Sequence, residues 1–156
     1  MKKIIYLSCT CDSTYRKKYI GKNPKVFAYQ ADKYHKLLID GLVNNKDIDV
    51  KAISMLPVNN KNCKKIYLKK HVVKNKNLEL NHLSIINIPI IKNIFMILNS
   101  FFNIVFEKKD NKTIMIGDVL NISLIIGALI ACKIKKIKTV GIVTDIPQFL
   151  STKKII

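Results

Sequence analysis

Three short stretches of the sequence gather the side chains most able to do chemistry. One runs from Cys9 to Asn23 and carries Asp12, Ser13 and Arg16; the second is Gly117-Asp118; the third is Thr144-Asp145-Ile146-Pro147. A carboxylate such as Asp145 can orient a hydroxyl or steady a developing positive charge. It can equally bond its own backbone as a turn residue ahead of Ile146-Pro147. Asp118 precedes an apolar helical pattern and reads as its N-cap. Gln30 and Lys33 stand on the first turns of an earlier helix, where they line a cleft or sit on a solvated face. His35 lies beside that helix's apolar stripe and reads as a packed or edge histidine.

The cysteines give a weaker signal. Cys9 and Cys11 form a C-x-C, but no second close pair and no sequence-adjacent histidine completes a zinc pattern. Cys63 and Cys132 stand alone. All four read as reduced thiols, and no metal is expected. Ser-Cys-Thr-Cys-Asp-Ser follows the first strand in place of G-x-G-x-x-G, and no G-x-x-x-x-G-K-[ST] occurs. Nicotinamide and ATP-hydrolase chemistry therefore lose their usual phosphate cradles, and no cofactor is expected.

These residues need a frame to hold them. Lys3–Ser8 is a short apolar run with the form of a buried parallel strand. Asn23-Pro24 opens a helix whose stripe is Phe27, Ala31, Tyr34, Leu38 and Leu42. Further strands are expected at Asp49–Met55, Ile66–Lys70, Leu83–Ile88, Thr113–Ile116 and Lys138–Val143, with a loop at Lys74–Asn77. Apolar helices are expected at Ile90–Glu107 and Val119–Lys135. The second half alternates strand and helix, which predicts βαβ units. The fold expected is therefore α/β: an open, mainly parallel, Rossmann-like sheet with helices on both faces. Ligands of such sheets bind at the carboxyl ends of the strands, where the three chemical stretches fall.

Composition narrows the partners. With 156 residues, 49% of them hydrophobic, the chain can bury one core and is not intrinsically disordered. Twenty-eight basic residues against ten acidic give a formal charge of +18, yet Arg16 is the only arginine. Base readout leans on arginine's bidentate fork, so no nucleic-acid partner is expected. A field of this sign still draws a domain toward anionic surfaces. The opening apolar stretch is too short for a secretory signal, and Val119–Cys132 is too short to span a bilayer. The expectation is a cytoplasmic protein, with peripheral contact at the inner membrane face left open.

Three quoted segments carry a resemblance to a known family. They are Ala28-Tyr-Gln-Ala-Asp-Lys-Tyr-His-Lys-Leu-Leu-Ile-Asp-Gly-Leu42, Ile116-Gly-Asp-Val-Leu-Asn-Ile-Ser123 and Val140-Gly-Ile-Val-Thr-Asp-Ile-Pro147. In order and spacing they resemble the acceptor-side domain of family 4 GT-B glycosyltransferases. The resemblance implies an N-terminal domain over residues 1–150 and the start of an interdomain segment at 151–156. It implies transfer from a nucleotide-sugar donor to a hydroxyl of a glycan or lipid-linked acceptor, with retention and without a metal. The donor would be held by a C-terminal domain with an E-x(7)-E element, which this chain lacks, so the chain alone is expected to be silent. Asp145 is the implied catalytic residue. Asp12, Ser13, Arg16, Gln30, Lys33, Asp118 and Thr144 are the implied acceptor contacts. Thr144 stands where many members carry histidine, and the family's glycine-rich loop after the first strand is missing. The alternative is a non-catalytic basic module for an anionic membrane or nucleic acid. The apolar helix at Ile90–Glu107, beside Lys108-Lys109, suits either membrane docking or simple burial.

Overall fold

A computed structural model describes residues 2–20 and 29–143. Its elements are β1 (Lys2–Ser8), α1 (Ser13–Tyr19), α2 (Tyr29–Val43), β2 (Ile48–Ser54), β3 (Tyr67–Leu68), β4 (His71–Asn75), β5 (Leu78–His82), β6 (Ile85–Ile86), α3 (Ile91–Val105), β7 (Ile114–Asp118), α4 (Ile122–Lys135) and β8 (Lys138–Ile142). Six strands form one mixed sheet in the order β4-β5-β2-β1-β7-β8, and β3 pairs with β6 in a small antiparallel ladder.

β1 is apolar on both faces because it lies at the centre of the sheet. Its residues Ile5 and Leu7 join Ile53, Met96, Ile104, Met115, Leu124 and Ala128 in the core beneath α3 and α4. Ile4 and Tyr6 face the other way, with Val50, Ala52 and Ile39 of α2. Helices thus cover both faces, as expected. β1 is parallel to β2 and to β7, β2 to β5, and β7 to β8. The chain moves outward from β1 through β2 to β5, then restarts on the other side of β1 with β7. In open parallel sheets such a reversal of strand order, here between β1 and β7, is the usual place for a ligand.

Several expected boundaries shift, each for a local reason. The sheet has one antiparallel edge: β4 and β5 form a hairpin in which Asn75 pairs with Leu78 across Lys76-Asn77. The expected Lys74–Asn77 loop is therefore mostly the end of a strand and a two-residue turn. The apolar run Leu83–Ile88 supplies only the two-residue β6. Its Leu83 and Ile85 are buried as core-filling residues rather than as part of a long strand. Only Tyr67 and Leu68 of the expected Ile66–Lys70 strand pair. The segment after β1 contains a helix, α1, because Asp12 caps it by accepting from the Thr14 and Tyr15 N–H groups at 2.8 and 3.0 Å. Gly117 and Asp118, beyond the strand expected at Thr113–Ile116, are the last residues of β7, paired with Gly141 and Ile142.

The seam between α3 and α4 is close. A Cβ on Gly127 would meet the Ile97 carbonyl oxygen at 2.0 Å and Ser100 Oγ at 2.3 Å. On their outer sides the same helices leave large apolar residues uncovered. These are Ile91, Ile94, Leu98 and Phe102 on α3, and Ile122, Ile126, Ile130 and Ile134 on α4, each 39–65% exposed. The apolar helix expected at Ile90–Glu107 is therefore buried on one side and exposed on the other. Among the described residues no helix is long and apolar enough to cross a membrane.

Candidate functional site

The carboxyl edge at the β1/β7 reversal holds a buried polar cluster made by α2. Spacing of i, i+3 and i+7 puts Asp32, His35 and Ile39 on one face of that helix, and all three are buried. The face is rotated from the stripe expected in the sequence. Ala31, Leu38 and Leu42 only flank it, and Tyr34 is 43% exposed. Two polar residues on the buried face have to find partners at the sheet edge, and they do.

His35 is fully buried between β1 and β7. Its Nδ1 lies 2.8 Å from the Tyr6 hydroxyl, and its Nε2 lies 3.2 Å from Asp118 Oδ2. An ionised carboxylate can only accept, so Nε2 donates to Asp118. In the neutral ring Nδ1 then accepts from the Tyr6 hydroxyl. Asp118 also accepts from the Leu120 N–H at 3.1 Å and from the Asn121 side-chain amide at 2.6 Å. Burial opposes the charge on Asp118, but the hydrogen bonds from His35, Leu120 and Asn121 hold its carboxyl below the ordinary value. Burial, with the charge of Asp118 adding to it, pushes the Tyr6 hydroxyl up, so it remains protonated.

Asp118 is therefore not the N-cap of α4, as expected, since that helix begins at Ile122 with Asn121 at its cap position. The carboxylate instead fastens the turn between β7 and α4 to α2.

The β1 loop is fixed by side chains in place of glycines. Ser8 Oγ donates to Thr10 Oγ1 at 2.9 Å and accepts from the Thr10 N–H, while the Ser54 hydroxyl donates to the Thr10 carbonyl. The Cys11 N–H donates to Asp32 Oδ1 at 2.9 Å, and Lys36 pairs with Asp32 Oδ2 at 2.8 Å. The Asp12 N–H donates to Nε2 of His82, which stacks with Tyr15 at 4.7 Å between ring centres. Burial pushes the Cys9 thiol up to about 11, with Asp118 adding to the shift, and the Cys11 thiol up to about 12, with Asp32 adding to it.

Of the residues given a site role from the sequence, Asp118 alone belongs to the buried cluster; His35, read there as a packed or edge histidine, is indeed packed. Asp12 is the cap of α1. Ser13 is exposed on its first turn, and Arg16 is half-buried with its guanidinium 3.8 Å from Asp32 Oδ2. Gln30 and Lys33 are exposed on the first turns of α2. Thr144 and Asp145 lie outside the described residues, as does the expected helix start at Asn23-Pro24. Tyr6, Cys9, Asp32, His35 and His82 were not assigned a site role from the sequence. The pair Asp32 and His35 at i, i+3 was the available signal, but a polar pair on a helix points to a site only once the helix's buried face is known. The fold brings His35 beside Cys9 although the two are distant in sequence. One donor atom from each of Cys9, His35 and Asp118 lies within 4.8 Å of the others, all three residues buried.

On the same edge, past β2, the loop before β3 and the start of α3 enclose a groove of about 530 Å³. Asn59, Asn60, Lys61, Asn87, Lys92 and Asn93 line it. Its walls are tied together, with Lys92 Nζ donating to the Val58 carbonyl and the Asn87 amide to the Cys63 carbonyl, both at 2.9 Å. No family model matches the chain, and neither a curated protein nor a solved structure is found to match it.

Proposed function

We propose that the chain is the Rossmann-like acceptor-side domain of a GT-B glycosyltransferase. The whole enzyme transfers a sugar from a nucleotide-sugar donor to a hydroxyl of a glycan or lipid-linked acceptor, with retention. The observation that supports this reading best is the restart of the strand order at β1. It sets the first turns of α2, the end of β7 and the asparagine-rich groove along one edge of the sheet. Asparagine amides offer donors and acceptors together, which suits the hydroxyls of a sugar. In this reading Asp145 orients the acceptor hydroxyl or steadies charge at the anomeric carbon. Its segment follows β8, whose Ile142 is the register partner of Asp118. Donor binding belongs to a separate C-terminal domain.

The test is an NMR titration of the chain with a panel of oligosaccharides and, separately, with nucleotide-sugars. Oligosaccharides are expected to shift the resonances of Asn60, Asn87 and Asn93, and nucleotide-sugars to leave the spectrum unchanged. Losing one side-chain hydrogen bond in Asn93→Ala should weaken that binding by about 1 kcal/mol, roughly fivefold. Tight nucleotide-sugar binding, or sugar transfer by this chain alone, would falsify the reading.

The uncovered stripes of α3 and α4 favour an anionic membrane as the surface on which such an enzyme works. The stripes are apolar, and Lys108, Lys109, Lys133 and Lys136 crowd the C-terminal ends of the two helices. The chain is expected to float with anionic vesicles at low salt and not with neutral ones, and Leu98→Asp should abolish flotation. No flotation at low salt would remove the membrane from the proposal.

A further inference from the structure

We propose that Cys9, His35 and Asp118 form a zinc site at the carboxyl edge of the sheet, with the fourth tetrahedral position open to water or a ligand oxygen. The three side chains come from the end of β1, from α2 and from the end of β7, so the backbone of three separate elements holds them together. Among the described residues no other three His, Cys, Asp or Glu side chains gather this closely. The 3.2 Å between His35 Nε2 and Asp118 Oδ2 matches the edge of a tetrahedron with zinc–ligand bonds of about 2.0–2.1 Å. The Cys9 sulfur lies within 4.8 Å of both.

The surroundings suit the ion. A thiolate and a carboxylate together neutralise a divalent charge, so the buried site carries no net charge to desolvate. Binding takes Nε2 as a ligand, and the ring proton moves to Nδ1, which then donates to the Tyr6 oxygen 2.8 Å away. Tyr6 thus becomes the outer partner that orients the imidazole, and the Asn121 amide at 2.6 Å does the same for the carboxylate. The Cys9 proton leaves to solvent. A sulfur, nitrogen and oxygen donor set favours zinc over magnesium or calcium, which take oxygen ligands. The inference does not rest on the sugar-transfer reading, and a failed transfer assay leaves it standing.

The test uses the full chain with zinc or cobalt(II) alone, in a reductant that does not chelate metal. One equivalent is expected to bind. The cobalt form should show the strong visible bands of a tetrahedral ion and a thiolate-to-cobalt charge-transfer band. Cys9→Ser should remove the charge-transfer band and weaken binding at least tenfold. His71→Ala, which removes a histidine stacked on His82 at 5.9 Å and outside the three ligands, should leave both unchanged. Zinc K-edge spectroscopy of the unaltered chain supplies a readout independent of any variant. One sulfur at about 2.3 Å beside nitrogen and oxygen at about 2.0–2.1 Å supports the site. A shell with no sulfur, or with two or more, overturns it, and so does a charge-transfer band that survives Cys9→Ser or disappears in His71→Ala.

Discussion

Replacing Gly127 with alanine is expected to lower the stability of the fold by about 2 kcal/mol or more, although alanine is the better helix former. The new methyl group would stand 2.0 Å from a backbone oxygen of α3 and 2.3 Å from Ser100 Oγ. A backbone carbonyl cannot rotate aside, so α3 as a whole has to retreat and its contacts along the seam are lost. Overpacking typically costs about 1–3 kcal/mol, and a backbone clash belongs at the upper end. Against this stands a gain of up to about 1 kcal/mol from removing a helical glycine. Gly41 supplies the control. It lies exposed in the last turn of α2, with no atom within 4 Å of a Cβ. Gly41→Ala should therefore stabilise by roughly 0.5–1 kcal/mol. Urea denaturation followed by circular dichroism reads both changes. A Gly127→Ala midpoint at or above that of the parent would mean that the helices do not approach so closely.

Acid should weaken the fold between about pH 6.5 and pH 4, before most carboxylates titrate. Burial, reinforced by neighbouring His71, pulls the His82 imidazole down from 6.5 to about 4. The unfolded chain therefore binds a proton that the folded chain refuses over this interval. Stability is full above the unfolded value and falls as the pH drops, until the folded group protonates as well. The loss is on the order of 3 kcal/mol. Protonation also turns Nε2 from an acceptor into a donor facing the Asp12 N–H, so the bond that holds the start of α1 is lost. His82→Gln keeps an acceptor at similar reach and removes the titration. Its stability should vary much less with pH over the same range, as measured by urea titrations at pH 7 and pH 4.5. A slope equal to that of the parent would move the acid sensitivity elsewhere in the chain.

The sequence pattern carried the fold further than it carried the site. Alternating apolar strands and helices announced the parallel sheet, because a strand buried on both faces has to be apolar throughout, as Ile4–Leu7 is. The β4–β5 hairpin was hidden because His71–Asn75 is a largely uncovered edge strand, and Leu78–His82 sets Glu79, Asn81 and His82 among its apolar residues, a pattern that suits a loop as well as a strand. The site was harder to see for a related reason. Its polar residues occupy the buried face of α2, where a hydrophobicity pattern expects apolar ones. The apparent stripe through Tyr34 and Leu38 was consequently turned away from Asp32 and His35. Such a departure from pattern is expected where a helix holds a polar cluster instead of filling a core.

The central place of β1 also sets how the chain must be made. Of the strands in this sheet it is the first to be synthesised, yet Ile4 pairs with Ile114 on one side and with Val50 on the other. At typical synthesis rates its second neighbour arrives on the order of ten seconds after it. Through that interval Ile4–Leu7 is a sticky, half-paired segment with charge only at its start, in Lys2 and Lys3. Any pause in translation before β7 emerges should therefore raise the demand for chaperones, and soluble yield should depend on elongation speed more than the modest size of the domain would suggest.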